Sequence, residues 1–222
     1  MTALGVMGGT FDPIHIGHLA IAEEARESLK LDRILFVPTG RPPHKQAGTV
    51  SDPQRRYEMV QLAIADNPAF EASRIEIDRA GLSYTADTVE ALAARGDGSR
   101  HGSGADDVTE ITLILSAETL SQLPSWREPE RILEAARLAV VPREGYPAPD
   151  PAWLSKAFPG REARVAYLDG PLVGVSSTDI RERVEAGRSI RYLVPAAVET
   201  YIAANGLYRT RSESSERRQP SS

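Results

Sequence analysis

Short apolar runs alternate along this chain with segments of helical periodicity. The runs occupy residues 4–7, 34–37, 109–115 and 138–141. Between the first two runs, apolar residues recur at helical spacing from Leu19 to Leu29, which predicts a crossover helix. Strands and helices that alternate in this way are typical of a parallel sheet covered by helices. We therefore predict an α/β fold with a Rossmann-like, doubly wound parallel sheet and a small helical C-terminal part.

Further local signals predict the remaining elements. Ser51 or Asp52 can cap a helix that has Pro53 in its first turn. Residues 72–78 alternate Ile75 and Ile77 with charged side chains, which predicts a half-buried or edge strand. The other expected elements are a helix over residues 85–95, a strand over 164–168, and helices opening near 176–187 and within 195–206.

We expect one domain over residues 1–208. Residues 96–107 are rich in Gly, Ser and Asp without periodicity, which predicts a flexible surface loop. Residues 209–222 are polar and lack an apolar anchor, so we expect a disordered tail.

Composition excludes several kinds of site and partner. The chain of 222 residues contains no cysteine, which removes disulfides, thiolate metal sites and cysteine nucleophiles. The formal net charge of −5 gives no general basic surface for nucleic acid, so an anionic ligand must meet a local positive site. The first residues show neither the basic region nor the apolar stretch typical of a secretory leader, and no long apolar stretch follows. We therefore expect a cytoplasmic protein without nucleic-acid or membrane partners.

The segment GGTFDPIHIGH, residues 8–18, carries the strongest chemical signal. Gly8 and Gly9 follow the first predicted strand, where open parallel sheets bind ligands. His15 and His18 are three residues apart and can face the same space if a helix starts near Gly17. A tight turn, a metal site and an anion site are the alternatives. Two histidines without cysteine make a poor zinc ligand set, whereas backbone N–H groups at a helix start favour phosphate.

This segment resembles the signature of nucleotidyltransferases that carry an HxGH motif, and its full string is close to that of bacterial nicotinate-nucleotide adenylyltransferases. The resemblance implies transfer of the AMP moiety of ATP to nicotinate mononucleotide, with pyrophosphate as the second product. It also implies that His15 and His18 are catalytic. The ATP-binding residues that it implies in this segment are Gly8, Gly9, Thr10, Phe11 and Gly17.

Three later segments have an ordinary structural explanation when each is taken alone. PTGRPPHK at 38–45 is a Pro-rich turn with charges, SYTADT at 83–88 can cap a helix, and VSSTDIRERV at 175–184 is a helix start with an arginine one turn in. All three resemble family motifs, and VSSTDIRERV follows the histidine segment in the order that the family has. The resemblance implies that the ATP phosphates contact His44, Lys45, Ser177, Thr178 and Arg181.

The resemblance also implies an acceptor site and one departure from the family. Thr85 would meet the nicotinate carboxylate, and Trp126 would lie near the nicotinate ring. Where the family usually has Gly-Ala-Asp after the fourth strand, this chain has Ser116, Ala117 and Glu118. The resemblance implies that Glu118 binds a ribose of the nucleotide in place of the family Asp, although the glutamate side chain is one methylene longer than that of aspartate.

The implied chemistry requires no protein nucleophile and no protein-bound metal, because Mg²⁺ arrives with ATP. Two alternatives remain at this point. One is a related transferase that uses phosphopantetheine, FMN or glycerol phosphate as acceptor. The other is a nucleotide-binding module without catalytic activity. The sequence makes no prediction of the oligomeric state or of the preference for the acid over the amide mononucleotide.

Overall fold

The computed structural model describes residues 2–43, 50–95, 110–142, 145–146 and 150–209. Within these ranges one sheet contains six strands, all paired in parallel, in the order β3-β2-β1-β4-β5-β6. The strands are β1 (Ala3–Gly9), β2 (Arg33–Pro38), β3 (Phe70–Ala72), β4 (Glu110–Ser116), β5 (Arg137–Val141) and β6 (Val165–Tyr167). The predicted doubly wound parallel sheet is confirmed.

Helices cover both faces of this sheet. They are α1 (Ile16–Ser28), α2 (Pro53–Ile64), α3 (Thr85–Arg95), α4 (Ala117–Gln122), α5 (Pro129–Ala135), α6 (Pro151–Ala157), α7 (Ser177–Glu185) and α8 (Ala196–Ala204). Short 3₁₀ turns occur at Leu123–Ser125 and Glu162–Arg164.

The two faces of the sheet have separate hydrophobic clusters. Along β2, Ile34 and Phe36 join the cluster under α1, α2, α7 and α8. The alternate residues Leu35 and Val37 join the cluster under α3, α4, α5 and α6. A strand buried on both faces has no polar face, which explains why its sequence is an unbroken apolar run.

Most predicted elements are confirmed by the structure. Within the described residues the four apolar runs lie in β1, β2, β4 and β5, and α3 begins at Thr85 as expected. Asp52 caps α2 by accepting a 2.9 Å hydrogen bond from the Gln54 backbone N–H, and Pro53 is the first helical residue. The C-terminal strand β6 and helices α7 and α8 also lie where the local signals placed them.

The prediction of a strand over residues 72–78 is wrong. The strand ends at Ala72, although it does lie at the sheet edge. After it, the Asp78 backbone N–H donates to the Arg74 carbonyl at 2.9 Å, and the two side chains form an ion pair at 2.9 Å. These contacts, four residues apart, close a turn, so the alternation of Ile75 and Ile77 does not mark extended backbone.

Some predictions fall outside the described residues. They include most of the expected tail, which is undescribed over 210–222, and the whole of the expected loop at 96–107. His44 and Lys45 lie in the undescribed range 44–49. The single domain over 1–208 stays a prediction. Among the described helices, none has the length and apolar character needed to cross a bilayer.

Candidate active site

A cavity of about 1260 Å³ opens at the carboxyl edge of the sheet. From β1 the chain continues to β2 and β3 on one side and later returns to β4 on the other. The carboxyl ends of β1 and β4 therefore flank the point where strand order reverses, which is where open α/β sheets form ligand sites. Residues from both strands line the cavity, including Gly8, Gly9 and Ser116.

The two histidines are in contact at the start of α1. His15 is the N-cap residue, and its backbone N–H donates a 3.2 Å hydrogen bond to His18 Nδ1. The ring centroids are 3.7 Å apart with planes inclined at 31°. Because Nδ1 of His18 accepts this bond, a neutral imidazole carries its proton on Nε2. His18 therefore has an N–H donor on its other nitrogen, and its side chain lines the cavity.

Phe11, another residue of the motif, also packs against the His18 ring. Phe11 has a left-handed backbone with φ of 50° and is buried. Its ring meets the His18 ring edge-on, with centroids 5.0 Å apart. A Cβ atom at Gly9 would lie 3.0 Å from the Phe11 ring, whereas one at Gly8 would meet no atom within 4 Å. Gly9 thus allows Phe11 to pack closely, and Gly8 leaves open space on the cavity side.

Gly17 allows the His15 ring to pack closely against the start of α1. A Cβ atom at this position would lie 3.1 Å from His15 Nδ1 and 3.6 Å from Val173. A larger residue would push against the imidazole, so glycine preserves the orientation of His15.

Asp12 connects the motif to the end of the described chain. Its buried carboxylate accepts from the Ser51 backbone N–H at 3.1 Å and from the Tyr208 hydroxyl at 2.6 Å. Burial, with the adjacent Asp12 charge, raises the pKa of Tyr208, so the phenol stays protonated and donates. The carbonyl of Asp12 also accepts a 2.8 Å bond from Arg181 Nη1. Asp12 is thus a junction between three parts of the chain.

Arg56 is a buried residue whose hydrogen bonds join the loops that surround the cavity. The residue is 1% exposed, and its guanidinium donates to the carbonyls of Thr10 at 2.7 Å, Thr39 at 2.6 Å and Ser51 at 2.9 Å. Burial lowers the pKa of Arg56, and the nearby Asp12 charge opposes that shift. One side chain therefore ties together the loops after β1 and β2 and the start of α2. Nothing in the local sequence pattern distinguishes Arg56 from an ordinary charged residue of an amphipathic helix.

Glu76 is a further buried ionisable group, and it lines the cavity. Its carboxylate accepts from the Thr88 hydroxyl at 2.8 Å and from the Ser83 hydroxyl. Burial raises the pKa of Glu76, although these hydrogen bonds act in the opposite direction. The Ser83 oxygen also accepts from the Gly40 backbone N–H at 3.1 Å. A Cβ atom at Gly40 would lie 2.2 Å from the Glu76 carbonyl, so the two loops approach too closely for a side chain there.

Helix α7 begins directly against the histidine motif. Ser176 caps it by accepting from the Asp179 backbone N–H at 3.0 Å. The Ser177 hydroxyl donates to the Pro13 carbonyl at 2.8 Å, and Arg181 Nη2 donates to Thr178 Oγ1 at 3.2 Å. The N-termini of α1 and α7 therefore border the same cavity, and the dipole at a helix N-terminus favours an anion.

The structure gives a role to Ser116, which stands where the family usually has Gly. Ser116 is the N-cap of α4, and its hydroxyl accepts from the Thr119 backbone N–H at 3.2 Å. A glycine at this position has no side-chain oxygen to accept that bond. Ser116 and Thr119 line the cavity, whereas Glu118, in the first turn of α4, is absent from its lining.

The structure brings most of the predicted site residues to one cavity. The lining includes Gly8, Gly9, Thr10, Phe11, His15, Gly17, His18, Thr85, Trp126, Ser177, Thr178 and Arg181. It does not include Glu118, and His44 and Lys45 lie outside the described residues. Within the described ranges no group of three or more His, Cys, Asp or Glu side chains could hold a metal ion.

Comparison with known proteins identifies the family. Residues 6–183 match the family model described as "Cytidylyltransferase-like". A relative from Roseiflexus sp. (strain RS-1), named "Probable nicotinate-nucleotide adenylyltransferase", is 49% identical over 206 residues, which are 93% of this chain and 98% of that relative. A relative of the same name from Thermomicrobium roseum is 42% identical over 210 residues, which are 95% of this chain and 93% of that relative.

A solved structure described as "Plasmodium falciparum nicotinic acid mononucleotide adenylyltransferase complexed with NaAD" has the same fold. It superposes with a TM-score of 0.75, covering 94% of this chain and 98% of that chain, at 16% sequence identity. The family match and the two relatives each span most of the chain. The chain therefore belongs to the nicotinate-nucleotide adenylyltransferases, within the cytidylyltransferase-like family.

Proposed function

We propose that this protein transfers the adenylyl group of ATP to nicotinate mononucleotide, giving nicotinate adenine dinucleotide and pyrophosphate. One observation carries the proposal. The paired His15 and His18 rings and the start of α7, with Arg181, border one cavity at the carboxyl end of β1. This arrangement concentrates donors for phosphate in a chain whose formal net charge is −5.

The reaction needs no protein nucleophile. A phosphate oxygen of the mononucleotide attacks the α-phosphorus of ATP in line, and the bond from that phosphorus to the oxygen bridging to the β-phosphate breaks. The attacking phosphate is already ionised, so the protein contributes position and charge stabilisation. In this mechanism His18 donates from Nε2 to oxygens of the reacting phosphate, and the adjacent His15 fixes the position of the His18 ring through its backbone N–H.

We assign the triphosphate to the space between α1 and α7. Gly8 leaves room there for the ligand, since no atom lies within 4 Å of the position that its Cβ would take. Arg181 is held by the Asp12 carbonyl and Thr178, and its further N–H groups can bind phosphate oxygens. His44 and Lys45 would hold the leaving pyrophosphate. Glu118 is not part of the cavity lining, but it lies next to the lining residue Thr119 on α4, from where its side chain would accept from the ribose of the nucleotide. Mg²⁺ enters as part of the substrate Mg-ATP.

The acceptor is assigned to the part of the cavity that contains Thr85 and Trp126. Trp126 packs against the cluster under α3 to α6 and is half-buried, so one side of its indole stays available for a planar ring. Thr85 lies at the first position of α3, where its hydroxyl and backbone N–H can bind a carboxylate.

A panel of acceptors tests this function. Purified protein is incubated with Mg-ATP and, separately, with nicotinate mononucleotide, phosphopantetheine, FMN or glycerol phosphate, and pyrophosphate release is measured. We expect release with nicotinate mononucleotide and formation of the dinucleotide. Release with another acceptor alone would overturn the choice of acceptor. No release with any acceptor would overturn the enzymatic proposal.

A further inference from the structure

We propose that Arg127 makes the enzyme prefer the acid form of the mononucleotide over the amide, by pairing with the carboxylate on its pyridine ring. This inference rests on the proposed function, because it uses the acceptor end of the cavity assigned there. It adds a specificity-determining residue at that end.

The position of Arg127 carries the first part of the inference. The residue follows Trp126 directly after the 3₁₀ turn at Leu123–Ser125, and it lines the same cavity as Thr85. Its guanidinium carbon lies 4.5 Å from the centroid of the Tyr84 ring. Tyr84 immediately precedes Thr85, so this stacking holds a cation on the cavity wall beside both proposed acceptor contacts.

The unused hydrogen-bond donors of Arg127 carry the second part. Within the described residues its contacts are the Tyr84 ring and an ion pair from Nε to Glu128 Oε2 at 3.3 Å. Its two terminal nitrogens, which form the fork that binds a carboxylate, have no protein partner in those ranges. The Glu128 carboxylate is also shared, because it accepts from Arg131 Nη1 at 2.7 Å. Arg131 also pairs with Glu90 at 2.5 Å and with Asp87 at 3.3 Å, so the carboxylates of this cluster are bound mainly by Arg131. The terminal nitrogens of Arg127 therefore stay available to a ligand carboxylate.

The acid and amide mononucleotides differ in the group on the pyridine ring that the Arg127 guanidinium would bind. Their rings have nearly the same shape, so packing against Trp126 discriminates weakly between them. A carboxylate presents two acceptor oxygens and a negative charge, whereas a carboxamide presents one acceptor and one N–H₂ donor that opposes the donors of Arg127. A cation at this position therefore favours the acid.

The test compares kcat/KM for nicotinate and nicotinamide mononucleotides with Mg-ATP in the wild type and in Arg127→Gln. The Arg127 side chain is 53% exposed, so solvent screens the pairing. We expect the acid-to-amide ratio to fall by roughly five- to thirty-fold, mainly through loss of activity with the acid. The preference of the wild type should also weaken as salt is raised.

Arg74→Gln is the matched control. Arg74 also stacks on a tyrosine, with its guanidinium carbon 5.1 Å from the Tyr57 ring centroid, but it is absent from the cavity lining. Its ratio should equal that of the wild type. Arg127→Lys keeps the charge without the fork, so it should retain part of the preference.

The outcomes separate the two proposals. If Arg127→Gln loses activity equally with both mononucleotides, or keeps the wild-type ratio, Arg127 does not select the acid and this inference is overturned while the proposed function stands. If the wild type uses neither mononucleotide, the proposed function fails and the inference fails with it. Thermal unfolding of each variant shows whether the assays compare folded proteins.

Discussion

The Tyr208 hydroxyl donates a 2.6 Å hydrogen bond to Asp12 Oδ1, and the two residues are 196 positions apart in the chain. Tyr208 follows α8, at the end of the described residues, and Asp12 lies in the loop that leads to the histidines. Since the Asp12 carbonyl also accepts from Arg181, one residue couples the C-terminal segment to both helix starts at the cavity. Tyr208 therefore supports the candidate site without lining it.

Replacing Tyr208 tests this coupling. Tyr208→Phe leaves a buried Asp12 oxygen without its donor, and we expect the free energy of unfolding to fall by about 1–3 kcal/mol. We also expect kcat to fall, because the loop that carries Asp12 positions Arg181. Urea unfolding and steady-state kinetics measure the two effects. Tyr201→Phe is the control, since Tyr201 donates to Glu58 on α2 away from the cavity. Equal loss of kcat in both variants would contradict the coupling.

Arg56→Lys tests the guanidinium that joins the loops. An ammonium group cannot reach the carbonyls of Thr10, Thr39 and Ser51 together, because it lacks the planar fork of arginine. Buried acceptors left without donors should lower the free energy of unfolding by about 3 kcal/mol or more. The KM for ATP should rise, since Thr10 and Thr39 lie on the cavity wall. Arg55→Lys, at the exposed neighbouring position of α2, should leave both quantities unchanged.

Glu76 should make stability depend on pH in a predictable direction. Burial raises its pKa above the ordinary value of 4.5, so the folded protein holds the proton more tightly than the unfolded chain. The resulting stabilisation is fully present below pH 4.5 and is lost as the pH rises through the folded pKa. Glu76→Gln does not titrate. We therefore expect the stability of Glu76→Gln relative to the wild type to increase with pH above 4.5, by at most about 1.4 kcal/mol per pH unit.

Urea unfolding of both proteins at a series of pH values measures this difference. Other carboxylates contribute equally to the two proteins and cancel. Glu134→Gln is the control, because it removes the same formal charge from an exposed position of α5. A difference between Glu76→Gln and wild type that does not change with pH would show that the carboxyl titrates alike in the folded and unfolded chains.

The sequence was sufficient for those features that depend on local patterns. Buried parallel strands such as β2 are continuous apolar runs, and α2 has its cap and Pro53 within a few residues. The pairing of His15 with His18 follows from their spacing at a helix start. The strand predicted at 72–78 was wrong because alternation of polar and apolar residues is not unique to strands. The turn closed by Arg74 and Asp78 shows the same alternation.

The contacts that support the site could not be predicted in this way. Arg56 reaches carbonyls in three loops, and Asp12 meets Tyr208 only because α8 returns the chain to the cavity. Glu76 is buried because the loop at Gly40 packs against it. Each of these interactions joins segments far apart in the sequence, and the residues themselves are of types that more often lie on the surface. Their importance appears only when the topology brings the segments together.

Two substitutions of His18 separate its structural contact from its proposed chemical role. Asn places an amide oxygen near the Nδ1 position, so His18→Asn can still accept from the His15 backbone N–H but has no donor in place of Nε2. We expect the free energy of unfolding to fall by only about 1 kcal/mol, through loss of the ring contacts with Phe11 and His15, and kcat to fall roughly 10²–10³-fold. Gln places its amide N–H near Nε2, so His18→Gln should retain more activity and less stability than His18→Asn. Urea unfolding and single-turnover assays measure both quantities. If His18→Asn is destabilised but has normal activity per folded molecule, the His18 ring serves the fold and not the transfer of the adenylyl group.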